Sequence, residues 1–338
     1  MRLAIHHREG SFSNRWIEYC KEFGIEYIIV DCFQSNIIEV MYKEKITHFM
    51  WHFHHSNFHD LLLFSPVLNG IDLIGVKTFP NFSTRWHFDD KVSQKYLLES
   101  LQAPFAKSTV FYNEKEALKF IENTKLPVVA KLKRGAGAAN VSLLGNAEEA
   151  KSYIQLMFGA GVSPIAKPLG NFSQKVRISK NFKNPLILIK KVFNHFKKVY
   201  KERALHASEK GYVYLQEFLP GNDYDTRIII IGKRAFGMRR FNRENDFRAS
   251  GSGKFDFSAA NIDTRLVEIA FETTEKLKAQ CLAYDFVYDG EEPKIIEVCF
   301  GFSRLIYDSC EGYWNRDLKF IEGPFISERF MIKDFLDS

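Results

Sequence analysis

The sequence predicts a mixed fold of the α/β and α+β classes, in which a small Rossmann-like unit precedes a larger α+β region. Short apolar segments alternate with helical ones up to about residue 87, as in successive β-α repeats. Beyond Asp89 the pattern changes to hairpin-like strand pairs and amphipathic helices. The 338 residues suffice for two or three domains, and we expect the parts 1–87, 88–220 and 221–338.

The first part alternates strands with helices. Buried strands are predicted at residues 2–5, 27–30, 46–53 and 71–76, with a helix near 15–23. No GxGxxG sequence follows the first strand, so the binding of a dinucleotide is not supported.

The rest of the chain opens with a helix that Asp89 and Asp90 begin and that Pro104 ends. Asp263 caps a second, longer helix, and a turn at Gly232 joins two strands. Strands are expected at residues 126–132, 141–144, 212–218, 225–231 and 234–241, with a last hairpin at 284–299. Such hairpins indicate antiparallel sheets.

The composition is that of a globular protein, with 46% hydrophobic and 26% charged residues. The five cysteines are scattered and form no CxxC pair, which favours a reducing compartment. The N-terminal sequence lacks the apolar core of a signal peptide, and no apolar run approaches the ~20 residues of a membrane span. We therefore expect a cytoplasmic protein.

The positive charge is local. The formal net charge of +6 does not by itself indicate nucleic acid as a partner, but residues 171–210 contain nine lysines and two arginines against two glutamates. Within this insertion, residues 185–203 form a basic amphipathic pattern, which favours a lid helix that packs on its own domain. The alternative is contact with an anionic membrane, peripheral to its inner face, or with a lipid-linked acidic sugar.

The sharpest chemical signal is the C-terminal hairpin, whose strands YDFVY and KIIEV flank a predicted turn at 289–293. Pairing Tyr288 with Lys294 sets Asp285 opposite Glu297. Two facing carboxylates destabilise a sheet, whereas Mg²⁺ reverses this effect because it prefers carboxylate and phosphate oxygens. On spacing alone, the metal site and its alternative carry about equal weight; the alternative is that one acid faces solvent or that the register is slipped by one residue.

A second signal is the Gly/Ala-rich turn in VVAKLKRGAGAANV. Gly135 and Gly137 let backbone N–H groups approach phosphates, while Lys131, Lys133 and Arg134 add positive charge. The turn is not a P-loop, since no GK[ST] sequence is present. Taken alone, such a hairpin turn is more often only a turn.

The third signal is the segment LQEFLPGNDYDTR. A strand end offers backbone donors and acceptors suited to an adenine edge at Gln216, Glu217, Phe218 and Leu219. Asp223 follows within reach of a ribose, and Arg227 could bind phosphate or carboxylate oxygens with both arms of its guanidinium. Taken alone, an acidic surface loop after a strand is the commoner case.

The order and spacing of these three signals, with Lys91 ahead of them in DDKVSQKYLLE, resemble the ATP-grasp superfamily over residues 87–303. That superfamily includes D-alanine–D-alanine ligase, glutathione synthetase and the ligase that adds glutamates to a ribosomal protein. The resemblance implies a fold in which two α+β subdomains, 88–220 and 221–338, clasp ATP. Residues 1–87 would form the small domain that precedes them.

The resemblance also implies roles for individual residues. Phosphate contacts fall on Lys91, Lys131, Arg134, Gly135 and Gly137. Adenine contacts fall on Gln216, Glu217, Phe218 and Leu219, and the ribose contact falls on Asp223. Substrate or phosphate contacts in the active site fall on Arg227, Arg240, Arg243 and Arg248. The metal acids are Asp285 and Glu297, for Mg²⁺ with Mn²⁺ as an alternative.

The activity that the resemblance implies is ligation of a carboxylate to an amine through an acyl phosphate. Cys299 stands where the superfamily usually carries Asn, and a thiol is a poor ligand for Mg²⁺. Two alternatives therefore stay open: a kinase of this fold, or a protein that binds ATP without turnover. Similarity around EVCFGFS to proteins of bacterial surface-polysaccharide clusters suggests an acidic sugar or amino acid as the carboxylate.

Four histidines lie in the stretch MWHFHHSNFHD: His52, His54, His55 and His59. No carboxylate or cysteine completes a metal-binding spacing, so the pattern favours histidines that rim a cleft at the end of a strand. If they have a function, substrate binding is the better hypothesis. The loop 7–11 follows the first strand directly, where α/β domains place their ligands.

Overall fold

A computed structural model describes residues 1–135, 140–165, 197, 203–244, 246–249 and 252–338. The chain forms two units, the first from residues 1–106 and 219–338 and the second from residues 107–218. The predicted basic helix at 185–203 lies outside the described residues, apart from Lys197 and Arg203. Within the described part of the chain, no helix has both the length and the apolar character needed to cross a membrane. The three-part division at residues 87 and 220 stays a prediction.

The N-terminal part of the first unit is a parallel sheet with helical connections. Its strands are β1 (Leu3–His6), β2 (Tyr27–Val30), β3 (His48–Trp51) and β4 (Lys77–Phe79), in the order β2-β1-β3-β4. Its helices are α1 (Ser13–Glu22), α2 (Ile37–Lys43) and α3 (Phe58–Leu73). The predicted β-α repeats are thereby confirmed for the first three strands and the first helix.

The predicted strand at 71–76 is wrong. Helix α3 continues to Leu73, and Gly75, at a φ of 81°, turns the chain towards β4. Ile71 is fully buried whereas Leu73 is 87% exposed, which a strand with both side chains on one face would not give. A short apolar run does not by itself distinguish a buried helical turn from a strand.

Two helices follow β4: α4 (Phe82–Arg85) and α5 (Lys91–Ser100). The side chain of Asp90 caps α5 by accepting a hydrogen bond from the backbone N–H of Ser93 at 2.9 Å. The predicted start of this helix is confirmed, and it places Lys91 in the first turn.

Among its described residues, the second unit contains an antiparallel sheet with helices and a core of its own. The strands are β5 (Ser108–Phe111), β6 (Val128–Lys131), β7 (Val141–Leu144) and β8 (Val213–Glu217), in the order β5-β8-β6-β7. The helices are α6 (Glu114–Glu122) and α7 (Ala147–Phe158). Strands β6, β7 and β8 are confirmed, whereas β5 and both helices were not predicted.

The C-terminal part of the first unit is a seven-stranded antiparallel sheet in the order β13-β12-β9-β10-β14-β15, with β11 paired to β10. The strands are β9 (Tyr224–Ile231), β10 (Arg234–Phe241), β11 (Phe255–Asp256), β12 (Cys281–Asp289), β13 (Glu292–Cys299), β14 (Gly312–Asn315) and β15 (Phe320–Glu322). The helices are the 3₁₀ turn Ala259–Asn261, α8 (Thr264–Leu277), α9 (Arg304–Tyr307) and α10 (Ser327–Leu336). The predicted cap of α8 is confirmed, since Asp263 accepts a hydrogen bond from the backbone N–H of Arg265 at 2.9 Å.

One face of the seven-stranded sheet is covered by α8, whose Thr274 lies 2.8 Å from the hydroxyl of Tyr284 on β12. A single hydrophobic core joins this sheet to the N-terminal sheet and includes Trp16, Phe79 and Phe300. The ends of the N-terminal strands are therefore held in a fixed position relative to the β12–β13 hairpin.

Candidate active site

Three charged residues form a row across three neighbouring strands of the seven-stranded sheet. Arg227 on β9 is paired with Asp285 on β12, and Asp285 is paired with Glu297 on β13. Directly opposed residues of antiparallel strands point to the same face. The predicted opposition of Asp285 and Glu297 is thus confirmed. All three side chains of the row point to the same face of the sheet.

The register that produces this opposition differs from the predicted one near the turn. The strands end at Asp289 and resume at Glu292, so the turn has two residues, and Tyr288 pairs with Pro293 rather than with Lys294. A β-bulge next to Asp285 then inserts Ile296 and restores the pairing with Glu297. Pro293 is tolerated because β13 is the edge of the sheet.

Asp285 is bound by two arginines. The Nε and Nη2 atoms of Arg227 lie 2.5 and 2.7 Å from its two carboxylate oxygens, and Nη2 of Arg240 lies 2.7 Å from Oδ2. Burial opposes the charged carboxylate, but the charges of Arg227 and Arg240 outweigh it and hold the pKa of Asp285 well below its usual range. Both oxygens of this carboxylate therefore accept hydrogen bonds from guanidinium groups.

A second carboxylate, that of Asp225, completes the network. Arg240 donates to its two oxygens at 2.6 Å each, and the two residues are paired across β9 and β10. Burial raises the pKa of Asp225 in spite of Arg240. Asp225 is not among the site residues predicted from the sequence, although counting outward from the predicted turn at Gly232 places it opposite Arg240.

Lys91 contacts the exposed end of the row. Its Nζ atom lies 3.3 Å from Oε1 of Glu297, and the Lys91 side chain is buried whereas that of Glu297 is 33% exposed. Burial opposes the lysine charge, but the carboxylates of Glu297 and Asp89 outweigh it and raise the pKa of Lys91. The first turn of α5 thus brings a permanent positive charge to the metal-acid candidate.

The side chains around Glu297 offer Mg²⁺ few ligands. No group of three or more His, Cys, Asp or Glu side chains is arranged for a metal ion among the described residues. Burial raises the pKa of the Cys299 thiol to about 12, so the thiol is neutral and a poor ligand. Mg²⁺ usually takes one or two carboxylates and completes its shell with phosphates and water. Glu297 can therefore offer a carboxylate oxygen to Mg²⁺, whereas both oxygens of Asp285 are already bound by Arg227 and Arg240.

The remaining arginine candidates lie on the segment that follows β10. Arg248 donates to the carboxylate of Asp246, with Nη2 at 2.7 Å from Oδ2. The backbone N–H of Arg243 donates to the carbonyl of Arg248 at 3.1 Å, which closes this loop. The described part of this loop is therefore internally braced.

Lys131 ends β6 in the second unit, with its side chain buried at 5% exposure. Beyond it, the backbone N–H groups of Lys133 and Arg134 donate to the carboxylate of Glu209 at 2.8 and 3.1 Å. The carboxylate of Glu209 thus accepts hydrogen bonds from the backbone amides at the start of the Gly-rich turn. Contacts of the same kind were predicted there for a phosphate.

The conformation of this turn requires glycine at its start. Gly135 has a φ of 111°, and a Cβ atom there would lie 2.0 Å from Nδ2 of Asn140. That amide donates to the carbonyl of Arg134 at 2.8 Å, so a side chain at Gly135 would break the bond that closes the turn. Gly137 lies outside the described residues.

The predicted adenine contacts differ in how far their backbones are engaged. Strand β8 is paired on both sides: Gln216 belongs to the ladders with β5 and β6, while Glu217 pairs with β6 and its backbone N–H donates to the carbonyl of Lys107 at 2.9 Å. Phe218 and Leu219 follow the last ladder pair, and the carbonyl of Leu219 accepts from Asn222 at 3.1 Å. Asp223 is exposed in the first unit. The predicted adenine candidates therefore lie partly within the sheet, at Gln216 and Glu217, and partly beyond it, at Phe218 and Leu219.

The histidines lie where the strand ends. His52 is buried, stacks on Phe12 at 3.6 Å between ring centroids, and accepts from the Phe12 backbone N–H at 3.1 Å. His54 and His55 have ring centroids 4.0 Å apart, and the charges of Glu297 and Lys91 act on His55. The sequence did not indicate that these histidines approach the metal-acid candidate.

Comparison with known proteins found similarity in structure but not in sequence. No family model matches the chain, and no curated protein matches it. The RimK domain protein ATP-grasp from Sphaerobacter thermophilus aligns over 100% of both chains, with 14% identity and a TM-score of 0.55.

Two further solved structures show the same similarity. The biotin carboxylase domain of the Hydrogenobacter thermophilus 2-oxoglutarate carboxylase, in complex with MgADP, ADP and bicarbonate, aligns over 100% of this chain and 70% of that one, with 12% identity and a TM-score of 0.58. D-alanine–D-alanine ligase from Bacillus anthracis aligns over 88% of this chain and 86% of that one, with 12% identity and a TM-score of 0.52. These likenesses confirm the predicted fold, which is the ATP-grasp fold.

Proposed function

We propose that this protein, which has the ATP-grasp fold, is an ATP-dependent ligase that joins a carboxylate to an amine. The observation that carries the proposal is the charged row on one face of the seven-stranded sheet, in which Arg227, Asp285 and Glu297 are aligned by strand register. A site for phosphoryl transfer needs cations held in place and an acid for a metal ion. The row and the adjoining Lys91 provide both.

ATP contacts are proposed for each unit by itself. Lys131 and the backbone amides of the turn at 133–135 suit the phosphates. Phosphate oxygens would there replace the carboxylate of Glu209 as acceptors of the hydrogen bonds from the Lys133 and Arg134 amides. Phe218 and Leu219 suit the adenine, and the exposed Asp223 suits the ribose. Lys91 would contact phosphate oxygens, because it already binds an anionic oxygen of Glu297 at 3.3 Å.

Mg²⁺ would be held by Glu297 and would supply charge neutralisation on the phosphates. Asp285 has a different role in this proposal: it positions Arg227 and Arg240, which it binds at 2.5–2.7 Å. Two arginines fixed by a buried carboxylate are suited to negative charge that develops on a transferred phosphoryl group, since no reorganisation is needed during the reaction.

The reaction has two steps. An oxygen of the substrate carboxylate attacks the γ-phosphorus, and the bond to ADP breaks, which gives an acyl phosphate. The nitrogen of the amine then attacks the acyl carbon, phosphate leaves, and the nitrogen loses its proton. Arg243 and Arg248 are candidates for contacts with the substrate or the phosphate, because their loop follows β10 directly. The five free thiols agree with the cytoplasmic location that we infer.

The experiment is a screen for ADP release, in which a panel of carboxylates is crossed with a panel of amines. The carboxylates include amino acids and uronic acids, which tests an acidic sugar or amino acid as substrate. Release that requires both partners, with an amide product by mass spectrometry, supports the proposal. A phosphorylated product without any amine would show a kinase, and ATP binding without turnover would show a nucleotide sensor, in agreement with Cys299 at the position of the usual Asn.

A further inference from the structure

The carboxyl ends of β1 and β3 form a crevice. Strand β1 lies between β2 and β3, so the connection that leaves β1 runs to one side of the sheet and the connection that leaves β3 runs to the other. In open parallel sheets, ligands bind at such a switch point, outside the carboxyl ends of the strands. The loops that line the crevice are residues 7–12 after β1 and 52–57 after β3.

Arg8 is held in this crevice by a buried carboxylate. Its Nη1 atom donates to Oδ2 of Asp60, and its Nη2 atom donates to the carbonyl of His52 at 3.2 Å. Asp60 is fully buried, whereas the side chain of Arg8 is 30% exposed. A guanidinium that is fixed on one edge and accessible on the other is suited to bind an anionic group with little loss of conformational entropy.

Asp60 also fixes the loop beside Arg8. It accepts from the backbone N–H of His54 at 2.7 Å and from Nδ2 of Asn57 at 3.2 Å. In the loop after β1, Nδ1 of His7 lies 2.9 Å from the hydroxyl of Ser13, the first residue of α1, and the backbone N–H of Phe12 donates to Nδ1 of His52 in the other loop at 3.1 Å. The two loops are therefore tied together around Arg8 rather than placed independently.

The loops of the crevice pack against the segment that follows β13, the strand that carries Glu297. Phe12 packs 5.0 Å from Phe302, and Phe53 packs 5.2 Å from Phe300, in the segment directly after β13. The charge of Arg8 acts on His54, while the charges of Glu297 and Lys91 act on the adjacent His55. Arg8 is therefore near enough to His54, and the Lys91–Glu297 pair near enough to His55, for their charges to act on the two imidazoles, whose ring centroids lie 4.0 Å apart.

The geometry points to a substrate with two anionic groups: Arg8 binds one, while the other is the carboxylate that is phosphorylated beside Lys91 and Glu297. This inference rests on the proposed function, because it takes the second end of the substrate to be the reacting carboxylate. The imidazoles of His54 and His55 offer hydrogen bonds to polar groups of the substrate. A dicarboxylate, or a carboxylate that carries a phosphate, has the required chemistry.

The test measures binding of matched acids to the full-length protein with Mg²⁺ and the non-hydrolysable analogue adenylyl imidodiphosphate. The probes are succinate, glutarate and adipate, each compared by calorimetry with the monocarboxylate of the same chain length. We expect at least one dicarboxylate to bind on the order of tenfold more tightly than its monocarboxylate, since a charge-assisted pair is worth about that factor. In Arg8→Gln this preference should disappear while binding of the nucleotide analogue is retained.

Two further variants separate recognition from folding. Arg8→Gln leaves Asp60 without its counter-charge, so the double variant Arg8→Gln/Asp60→Asn keeps two neutral amides in place of the pair and should also lose the preference. Arg2→Gln is the matched control, because Arg2 lies just before the opposite end of β1 and pairs with Glu44. Equal binding of mono- and dicarboxylates by the wild type, no binding of either, or a preference that survives in both Arg8 variants would overturn the inference. Failure to bind the nucleotide analogue would instead count against the proposed function.

Discussion

The Nζ atom of Lys91 lies 3.3 Å from Oε1 of Glu297, so a predicted phosphate ligand and a predicted metal ligand neutralise each other. Lys91 is buried in the first turn of α5, whereas Glu297 is on the edge strand and is 33% exposed. Mg-ATP would offer each of them a partner of opposite charge. On binding of Mg-ATP, the ion pair between Lys91 and Glu297 would therefore be replaced by contacts of Lys91 with the nucleotide and of Glu297 with the metal ion.

Glu297→Gln should reduce ATP-dependent turnover more than Cys299→Asn. The first change removes the carboxylate that fits Mg²⁺, and we expect a loss of about a hundredfold, as for one electrostatic contact in a transition state. The second replaces a neutral thiol, whose pKa is raised to about 12 by burial, with the amide oxygen usual at this position. ADP release is measured against Mg²⁺ concentration for both variants. The idea would be lost if Cys299→Asn abolished activity while Glu297→Gln kept it.

Lys131→Met should abolish turnover while the protein stays folded. Lys131 is 5% exposed, so an alanine would leave a cavity, whereas methionine retains much of the aliphatic stem and removes the charge. We expect at least a hundredfold loss of ADP release, because the lysine neutralises phosphate charge. Lys151, on α7, gives the control Lys151→Met. Unchanged turnover in Lys131→Met, with an unchanged thermal midpoint, would show that the phosphate site is elsewhere.

The predicted pairing of Asp285 with Glu297 is correct because the structure departs from the predicted register twice, and the two departures cancel. The turn of the C-terminal hairpin is shorter than predicted, which shifts the register by one residue, and the bulge at Ile296 shifts it back. A bulge of this kind has no signature in KIIEV. By contrast, the turn at Gly232 was predicted, and it sets Asp225 opposite Arg240. This contact could therefore have been predicted from the sequence by counting residues outward from the turn.

Other parts of the site depend on tertiary structure. Nothing in MWHFHHSNFHD indicates that His55 approaches Glu297, because that approach depends on the core shared by the two sheets. Likewise, the pairing of β8 on both sides, which engages Gln216 and Glu217, depends on β5, a strand that the sequence did not reveal. Local patterns predicted the elements, while long-range packing decided which backbone and side-chain groups are available.

His54 should make the protein less stable as the pH falls below about 6.5. Burial, together with the charges of His55 and Arg8, lowers the pKa of His54 from 6.5 to about 3 in the folded state. Between these two values the unfolded chain binds a proton that the folded chain does not, so the free energy of unfolding falls with the pH. Because the ring is partly exposed, we expect an effect on the order of 1 kcal/mol at pH 5.

The measurement for His54 is urea unfolding at pH 7 and pH 5. His54→Asn should lose less stability between these values than the wild type, and His59→Asn is the control because His59 is exposed. An equal loss in the wild type and in His54→Asn would show that His54 does not cause the pH dependence.

Asp285→Asn should destabilise the protein more than any other single change in the charged row. Asp285 is 4% exposed and binds both Arg227 and Arg240, so its loss removes the carboxylate that the two guanidiniums share. Removing one partner of a buried ion pair costs about 3–5 kcal/mol. Glu297→Gln is the matched control from the same row and should cost less, because Glu297 is 33% exposed and Asp89 also stabilises the charge of Lys91.

The stabilisation by Asp285 should also depend on pH in a defined direction. Its pKa is lowered in the folded state, so its contribution is present above the unfolded value of 3.8 and is lost as the pH falls below it. The difference in urea midpoint between wild type and Asp285→Asn should therefore narrow from pH 7 to pH 3.5. If Asp285 instead served mainly as a metal ligand, Mg²⁺ without nucleotide would stabilise the wild type and not the variant. We expect no such effect, because a cation at Asp285 would be repelled by two arginines that are already bound to its oxygens.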